Sequence, residues 1–189
     1  MKRMLLTLCS VLIVTFAQAQ EHMIFKDISM DCNLTTFVSK LVAKGYEKVL
    51  VKDDAVALTG NFAGKKDCTI LVLSSANSHL VWKVSVLFPE HTSWSSLKSE
   101  YFLFKESYSK KYGKPESFEY FTDPYEEGDG YELQAVKLEK CIYASYFNTP
   151  LGYIVLDIHK DKFVRVTYED AINAEIRDKE KEQAVSDDI

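Results

Sequence analysis

Four histidines, His22, His79, His91 and His159, are the first residues to examine for chemistry. A zinc hydrolase needs two of them one helical turn apart, and none is paired in that way. No Gly-x-Ser-x-Gly elbow, P-loop or dinucleotide-binding glycine pattern occurs. Ser74 and Ser75 follow an apolar run with no base beside them in sequence. The loop holding Asp123, Glu126, Glu127 and Asp129 offers the hard oxygen ligands that calcium prefers, but Pro124 interrupts it and its spacing is not that of an EF-hand. The expectation is a protein that is not an enzyme and carries no cofactor or metal.

Cysteine is the next candidate. Cys32, Cys68 and Cys141 follow the N-terminal apolar run, at separations unlike any paired zinc pattern. An odd count in an oxidising compartment permits one bridge and one leftover thiol. Buried free thiols are the first expectation. If a disulfide forms, Cys68 with Cys141 is the expected pair, since both fall at strand starts.

Alternation along the apolar segments supplies the third candidate. It places Asn61, Lys83, Tyr146, Asp157, His159, Phe163 and Arg165 on one side of a sheet, among Thr59, Ser85, Asn148 and Thr167. Leu58, Trp82, Val84, Phe147, Ile154, Leu156 and Val166 take the other side, for helices to cover. Aromatic rings and an arginine among small polar residues suit a binding surface, because rings supply area and arginine supplies directed charge.

Those positions need strands to hold them. Ile24 to Met30 alternates and reads as a half-buried strand. Asn33 then caps a helix of about three turns carrying Leu34, Phe37, Val38, Leu41 and Val42, which Gly45 ends. A short strand near Tyr46 to Val51 leads into a meander over Val56 to Phe62, Cys68 to Ser74 and Leu80 to Phe88. Ser93 caps a second, longer helix with Leu97, Tyr101, Phe104, Tyr108 and Tyr112 in one stripe, stopped by Gly113 and Pro115. Ser117 to Phe121 reads as an edge strand, and Glu132 to Lys140 as a short helix or a strand, with helix formers favouring the first. A second meander covers Cys141 to Phe147, Tyr153 to His159 and Phe163 to Tyr168. Ala171, Ile172 and Ile176 suggest a last helix before a charged, loose tail from Asp178.

Two units thus read alike, residues 20–92 and 93–177, each a helix, a strand and a three-stranded meander. Trp82, Val84 and Val86 align with Val164, Val166 and Tyr168, and Lys83 and Ser85 with Arg165 and Thr167. The fold class is α+β, with antiparallel strands and the helices packed on one face. The run from Phe25 through Gly45 carries a resemblance, together with Phe62-Ala-Gly-Lys-Lys-Asp-Cys-Thr-Ile70, Phe88-Pro-Glu, Trp94-Ser-Ser-Leu97, Lys111-Tyr-Gly-Lys-Pro115 and Lys140-Cys-Ile-Tyr143. It resembles a group of small secreted proteins from gut bacteria, a likeness that implies no activity. Members of that group often carry Gly where this chain has Cys32, so the resemblance implies no role for that thiol. The doubled unit is similar in architecture to the β-lactamase inhibitor protein, whose two sheets form one concave surface that grips another protein.

Residues 1–19 have the parts of a secretory signal: Lys2 and Arg3, an apolar run from Met4 to Phe16, and Ala17-Gln18-Ala19 as cleavage site. Cys9 lies inside the apolar run, which argues against lipidation there. The run is too short to span a membrane, and the later apolar runs are strand-length. The chain is therefore expected to be exported, to the periplasm or beyond, with its mature form starting at Gln20. Removing Lys2 and Arg3 takes the net charge from −5 to −7. With no basic stripe, nucleic acid is excluded as a partner. A protein or envelope component on the open sheet face is the leading expectation. A carrier binding a small molecule or glycan beneath Tyr101, Phe104 and Tyr108 is the alternative.

Overall fold

The computed structural model describes residues 21–188. The signal sequence read in residues 1–19, the cleavage before Gln20 and Cys9 lie outside them. The elements are β1 (Ile24–Phe25), β2 (Ile28–Ser29), α1 (Leu34–Ala43), β3 (Glu47–Val51), β4 (Ala55–Phe62), β5 (Lys65–Ser74), β6 (Val81–Leu87), α2 (Trp94–Tyr112), β7 (Glu116–Phe121), α3 (Glu132–Lys137), β8 (Cys141–Thr149), β9 (Gly152–His159), β10 (Phe163–Asp170) and α4 (Ala171–Asp188).

Eight of the strands form one antiparallel sheet in the order β3-β4-β5-β6-β10-β9-β8-β7. The order is symmetric about the β6–β10 seam, where the two helix-plus-strands units meet. Ser85 stands opposite Thr167 at that seam, Val84 opposite Tyr168, and Val86 opposite Val166. A two-fold axis through the Ser85–Thr167 pair would carry Val84 onto Val166 and Val86 onto Tyr168. Those are the residues that align along the sequence, and the two hydroxyls on the axis lie 3.0 Å apart.

The helices form where local signals ask for them. Asn33 accepts the Thr36 amide at 2.9 Å to start α1, and Ser93 accepts the Ser96 amide at 3.3 Å to start α2. Gly113, at φ 86°, ends α2 in a conformation that side chains disfavour. Phe37, Val38 and Leu41 of α1 and Leu97, Tyr101, Phe104 and Tyr108 of α2 are buried in one core with Leu58 of β4, Ile70 and Val72 of β5, Val81, Val84 and Val86 of β6, Ile154 and Leu156 of β9 and Val164 and Val166 of β10. In β8, Tyr143, Ser145 and Phe147 face inward.

Three expectations are corrected. The opening strand is a hairpin: Lys26 and Asp27 both adopt positive φ, the backbone of a tight two-residue turn, and Met30 donates back to the Met23 carbonyl. The tail from Asp178 is helix, continuing α4 to Asp188. The Cys68–Cys141 bridge is absent; Cys32, Cys68 and Cys141 are free thiols. Cys68 lies on β5 and Cys141 on β8, four strands apart and thus about 19 Å at the usual strand spacing. A disulfide needs Cα atoms within about 7 Å.

Candidate functional site

The face opposite α1 and α2 is open, and cross-strand register arranges its residues in rows. One row runs Thr69, Leu87, Arg165, Asp157, Ala144, Phe118. The next runs Leu71, Ser85, Thr167, Val155, Tyr146, Glu116, and a third Leu73, Lys83, Glu169, Tyr153, Asn148. Leu71, Leu73, Val155, Tyr146, Tyr153, Lys83 and Arg165 line one shallow concavity of about 530 Å³ across β5, β6, β10, β9 and β8.

Its charges are already matched. Arg165 grips Asp157 with two parallel bonds, Nε to Oδ1 at 3.0 Å and Nη2 to Oδ2 at 2.5 Å. That hydrogen-bonded carboxylate raises the pKa of the guanidinium above its ordinary value. Lys83 Nζ lies 2.9 Å from Glu169. The centre of the face is therefore the Ser85–Thr167 pair, flanked by aliphatic side chains, exposed rings and two neutralised ion pairs.

One end of the face has a wall. A register shift between Leu73 and Ser74 on β5 leaves Trp82 without a partner on that strand. Trp82 was expected on the covered side. Instead it lines a second cavity, of about 240 Å³, with Leu73 and with Arg177, Glu180 and Ala184 of α4. The Arg177 guanidinium stacks 3.9 Å from its ring centroid, and Lys83 Nζ lies 4.4 Å from it. Glu180 accepts the Asn77 and Ser78 amides at 2.9 and 3.0 Å, pinning α4 to the β5–β6 turn.

The structure brings Lys83, Tyr146 and Arg165 together in the concavity, with Asp157 beside them as the partner of Arg165. His159 and Phe163 stack on each other at the β9–β10 end, centroids 4.6 Å apart. Asn61 is remote, exposed on β4, its carbonyl taken by the Tyr46 hydroxyl at 3.0 Å. The floor residues Leu71, Leu73 and Val155 and the ring of Tyr153 were missed. Thr69-Ile-Leu-Val-Leu73 is apolar on both faces, so it carries no alternation to read.

Tyr101, Phe104 and Tyr108, the stripe expected to line a ligand pocket, pack as core. Tyr101 shares hydrogen bonds with Ser145 at 2.6 Å and Glu119 at 3.0 Å. Phe104 stacks on Phe88 at 4.3 Å, and the Tyr108 hydroxyl bonds that of Tyr168.

Two histidines meet buried carboxylates. His91 Nε2 lies 2.9 Å from Glu100, whose other oxygen takes Lys65 at 2.6 Å. His22 Nδ1 lies 3.2 Å from Asp170, which also accepts the Met23 and Asn173 amides. Neither imidazole hydrogen-bonds a serine, threonine or thiol among the described residues. The acidic loop is occupied with itself: Asp129 accepts the Glu126 and Tyr131 amides, Glu132 the Gly128 amide, and Glu127 pairs with Lys98. Among the described residues, no three His, Cys, Asp or Glu side chains converge as metal ligands, and no helix is long and apolar enough to cross a membrane.

Compared with models of protein families, with curated proteins and with solved structures, this chain matches none. What the open face can do follows from its own side chains. It offers aliphatic area, two exposed tyrosines and an arginine held by its carboxylate.

Proposed function

We propose that this chain is an exported, non-enzymatic binding protein that uses its open sheet face to hold a protein or a component of the cell envelope. The observation that carries the reading is the concavity in which Leu71, Leu73, Val155, Tyr146 and Tyr153 stand around the Ser85–Thr167 pair, on a face that α1 and α2 leave uncovered. A sheet face made only for solvent has no need to gather three aliphatic side chains and two rings in one hollow. The paired charges fit the same reading, since Arg165 and Lys83 can meet a partner without first being stripped of water as lone ions.

The test is capture by the immobilised chain from envelope and secreted fractions, compared with a Tyr146→Ala, Tyr153→Ala variant. Both rings are exposed, 39% and 54%, so the melting temperature should change little. Replacing Arg165 instead would strand Asp157 and confuse stability with binding. A partner retained by the wild type and lost by the variant is the expected outcome. Equal capture by both would refute the reading.

A further inference from the structure

The sheet ends in two edges that differ. β3 is irregular, with a register shift between Lys48 and Leu50 and a lysine at each end of its apolar run, Lys48 and Lys52. Bulges and edge lysines are the devices that stop a strand from pairing with a stranger. β7 has no bulge. It pairs with β8 over six consecutive residues without a shift, and its flanking lysine and proline, Lys114 and Pro115, stand before its first residue rather than along it.

The hydrogen-bond phase of β7 is set by one contact. The Thr122 amide donates to the Lys140 carbonyl at 2.8 Å, in the register that continues β7 against β8. In an antiparallel pair alternate residues bond inward, so Phe118 and Tyr120 share that phase. Ser117, Glu119 and Phe121 therefore turn their N–H and C=O groups outward, away from the sheet. The side chains beside this row are also unusual for an edge. Phe118 and Tyr120 extend the open face to its rim at 43% and 48% exposure. On the other side a shallow groove of about 570 Å³ runs between α2 and β7, lined by Lys105, Ser109, Lys114, Pro115 and Ser117. Lys105 is paired with Glu119, whereas Lys114 is exposed and makes no ion pair among the described residues.

We infer that β7 is a docking edge for an extended segment of another protein, added as a ninth strand, with an acidic side chain opposite Ser117 and apolar side chains opposite Phe118 and Tyr120. Main-chain bonds to Ser117, Glu119 and Phe121 supply the affinity, and the alternating side chains supply the choice of partner. The acidic residue points into the groove, where Lys114 meets it. A second copy fits less well. Self-pairing centred on Glu119 sets two glutamates opposite each other, and centred on Phe118 it sets Pro115, which has no N–H, opposite Phe121. This inference stands apart from the open-face reading, because it uses the rim and its main chain rather than the concavity.

The probe is a synthetic peptide, Val-Phe-Thr-Val-Glu, capped at both ends, and its counterpart with the final Glu replaced by Lys. Amide exchange of the full described chain is followed residue by residue. The Glu peptide should slow exchange at Ser117, Glu119 and Phe121 by about tenfold or more at saturation, and the Lys peptide should protect much less. Lys114→Glu, an exposed change that leaves the fold intact, should reverse that preference. No protection at those three amides, protection at β3 instead, or equal protection by both peptides would overturn the inference. So would protection that rises with protein concentration alone, which would make the occupant a second copy. Because the Tyr146 ring meets Phe118 of β7 at 6.0 Å, the open-face reading is tested apart from this one by Tyr153→Ala alone, so either reading can fail by itself.

Discussion

The Asp170 carboxylate is fully buried and accepts the Met23 amide at 2.6 Å and the Asn173 amide at 2.9 Å. Asn173 in turn donates to the Met30 and Val81 carbonyls at 2.7 and 2.8 Å. Two neighbouring side chains thus tie the N-terminal hairpin, β6 and the start of α4 together. Asp170→Ala orphans two buried amides, each worth about 1–3 kcal/mol, and should lower unfolding free energy by about 2 kcal/mol or more in denaturant titration. Asp170→Asn keeps one acceptor and should recover part of that; equal losses in both variants would mean the acceptor is not what matters. A buried thiol and a buried phenol make stability depend on alkaline pH. Burial pushes the Cys141 thiol up to about 12, and burial beside Tyr108 raises the Tyr168 phenol well above its ordinary value. Each holds its proton in the fold and releases it sooner when unfolded. Their stabilising contribution is therefore complete below the ordinary thiol and phenol values and is lost as pH climbs toward the folded ones. Stability should fall steadily above about pH 9, and Tyr168→Phe should flatten that fall. At pH 8 iodoacetamide should label Cys32 ahead of the buried Cys68 and Cys141, whereas prior modification of Cys141 in the native state would contradict its burial.

Among elements, those with local signals were the legible ones. Asn33, Ser93 and Gly113 mark helix ends through bonds reaching three or four residues, and the meanders show in their alternation. What stayed hidden depends on distant partners. The segment after Asp178 is charged, with little apolar periodicity, and reads as a loose tail; it is helical here with Glu180 bound to the β5–β6 turn, about a hundred residues away. The hairpin of β1 and β2 alternates just as one strand would, and its turn at Lys26-Asp27 lacks the glycine that signals such turns. Trp82 was misplaced because a register shift moves one side chain without leaving a mark in composition. Of the candidate site, the polar and aromatic positions on β8, β9 and β10 were legible from alternation, while its apolar floor on β5 was not. The role of Glu180 can be measured. Glu180→Ala should speed amide exchange several-fold through residues 181–187 and leave the β4 and β5 amides unchanged; unchanged exchange in 181–187 would show that the helix holds without its anchor.

At the scale of the whole molecule, two units that look separable in sequence share one sheet and one core. β6 and β10 are each other's neighbours at the seam, so dividing the chain between residues 92 and 93 would bare a strand edge on both halves. Packing crosses the same line. Phe88 of the first unit stacks on Phe104 of the second at 4.3 Å, and Phe25 meets the edge of Tyr168 at 5.3 Å. The N-terminal hairpin hangs on Asp170 and Asn173, which belong to the second unit. Neither half keeps its own hydrophobic surface covered, so thermal or chemical unfolding should be a single transition, with equal opening free energies for the amides of β4 and β9. Expressed apart, residues 21–92 and 93–188 should each lack a cooperative transition, and mixing them should restore the ordered sheet. Two separate transitions in the intact chain, or a half that melts cooperatively alone, would make the seam an interface between domains. A single transition would instead mean that the open face is one rigid surface, with the Ser85–Thr167 pair at its centre and the β7 edge at its rim.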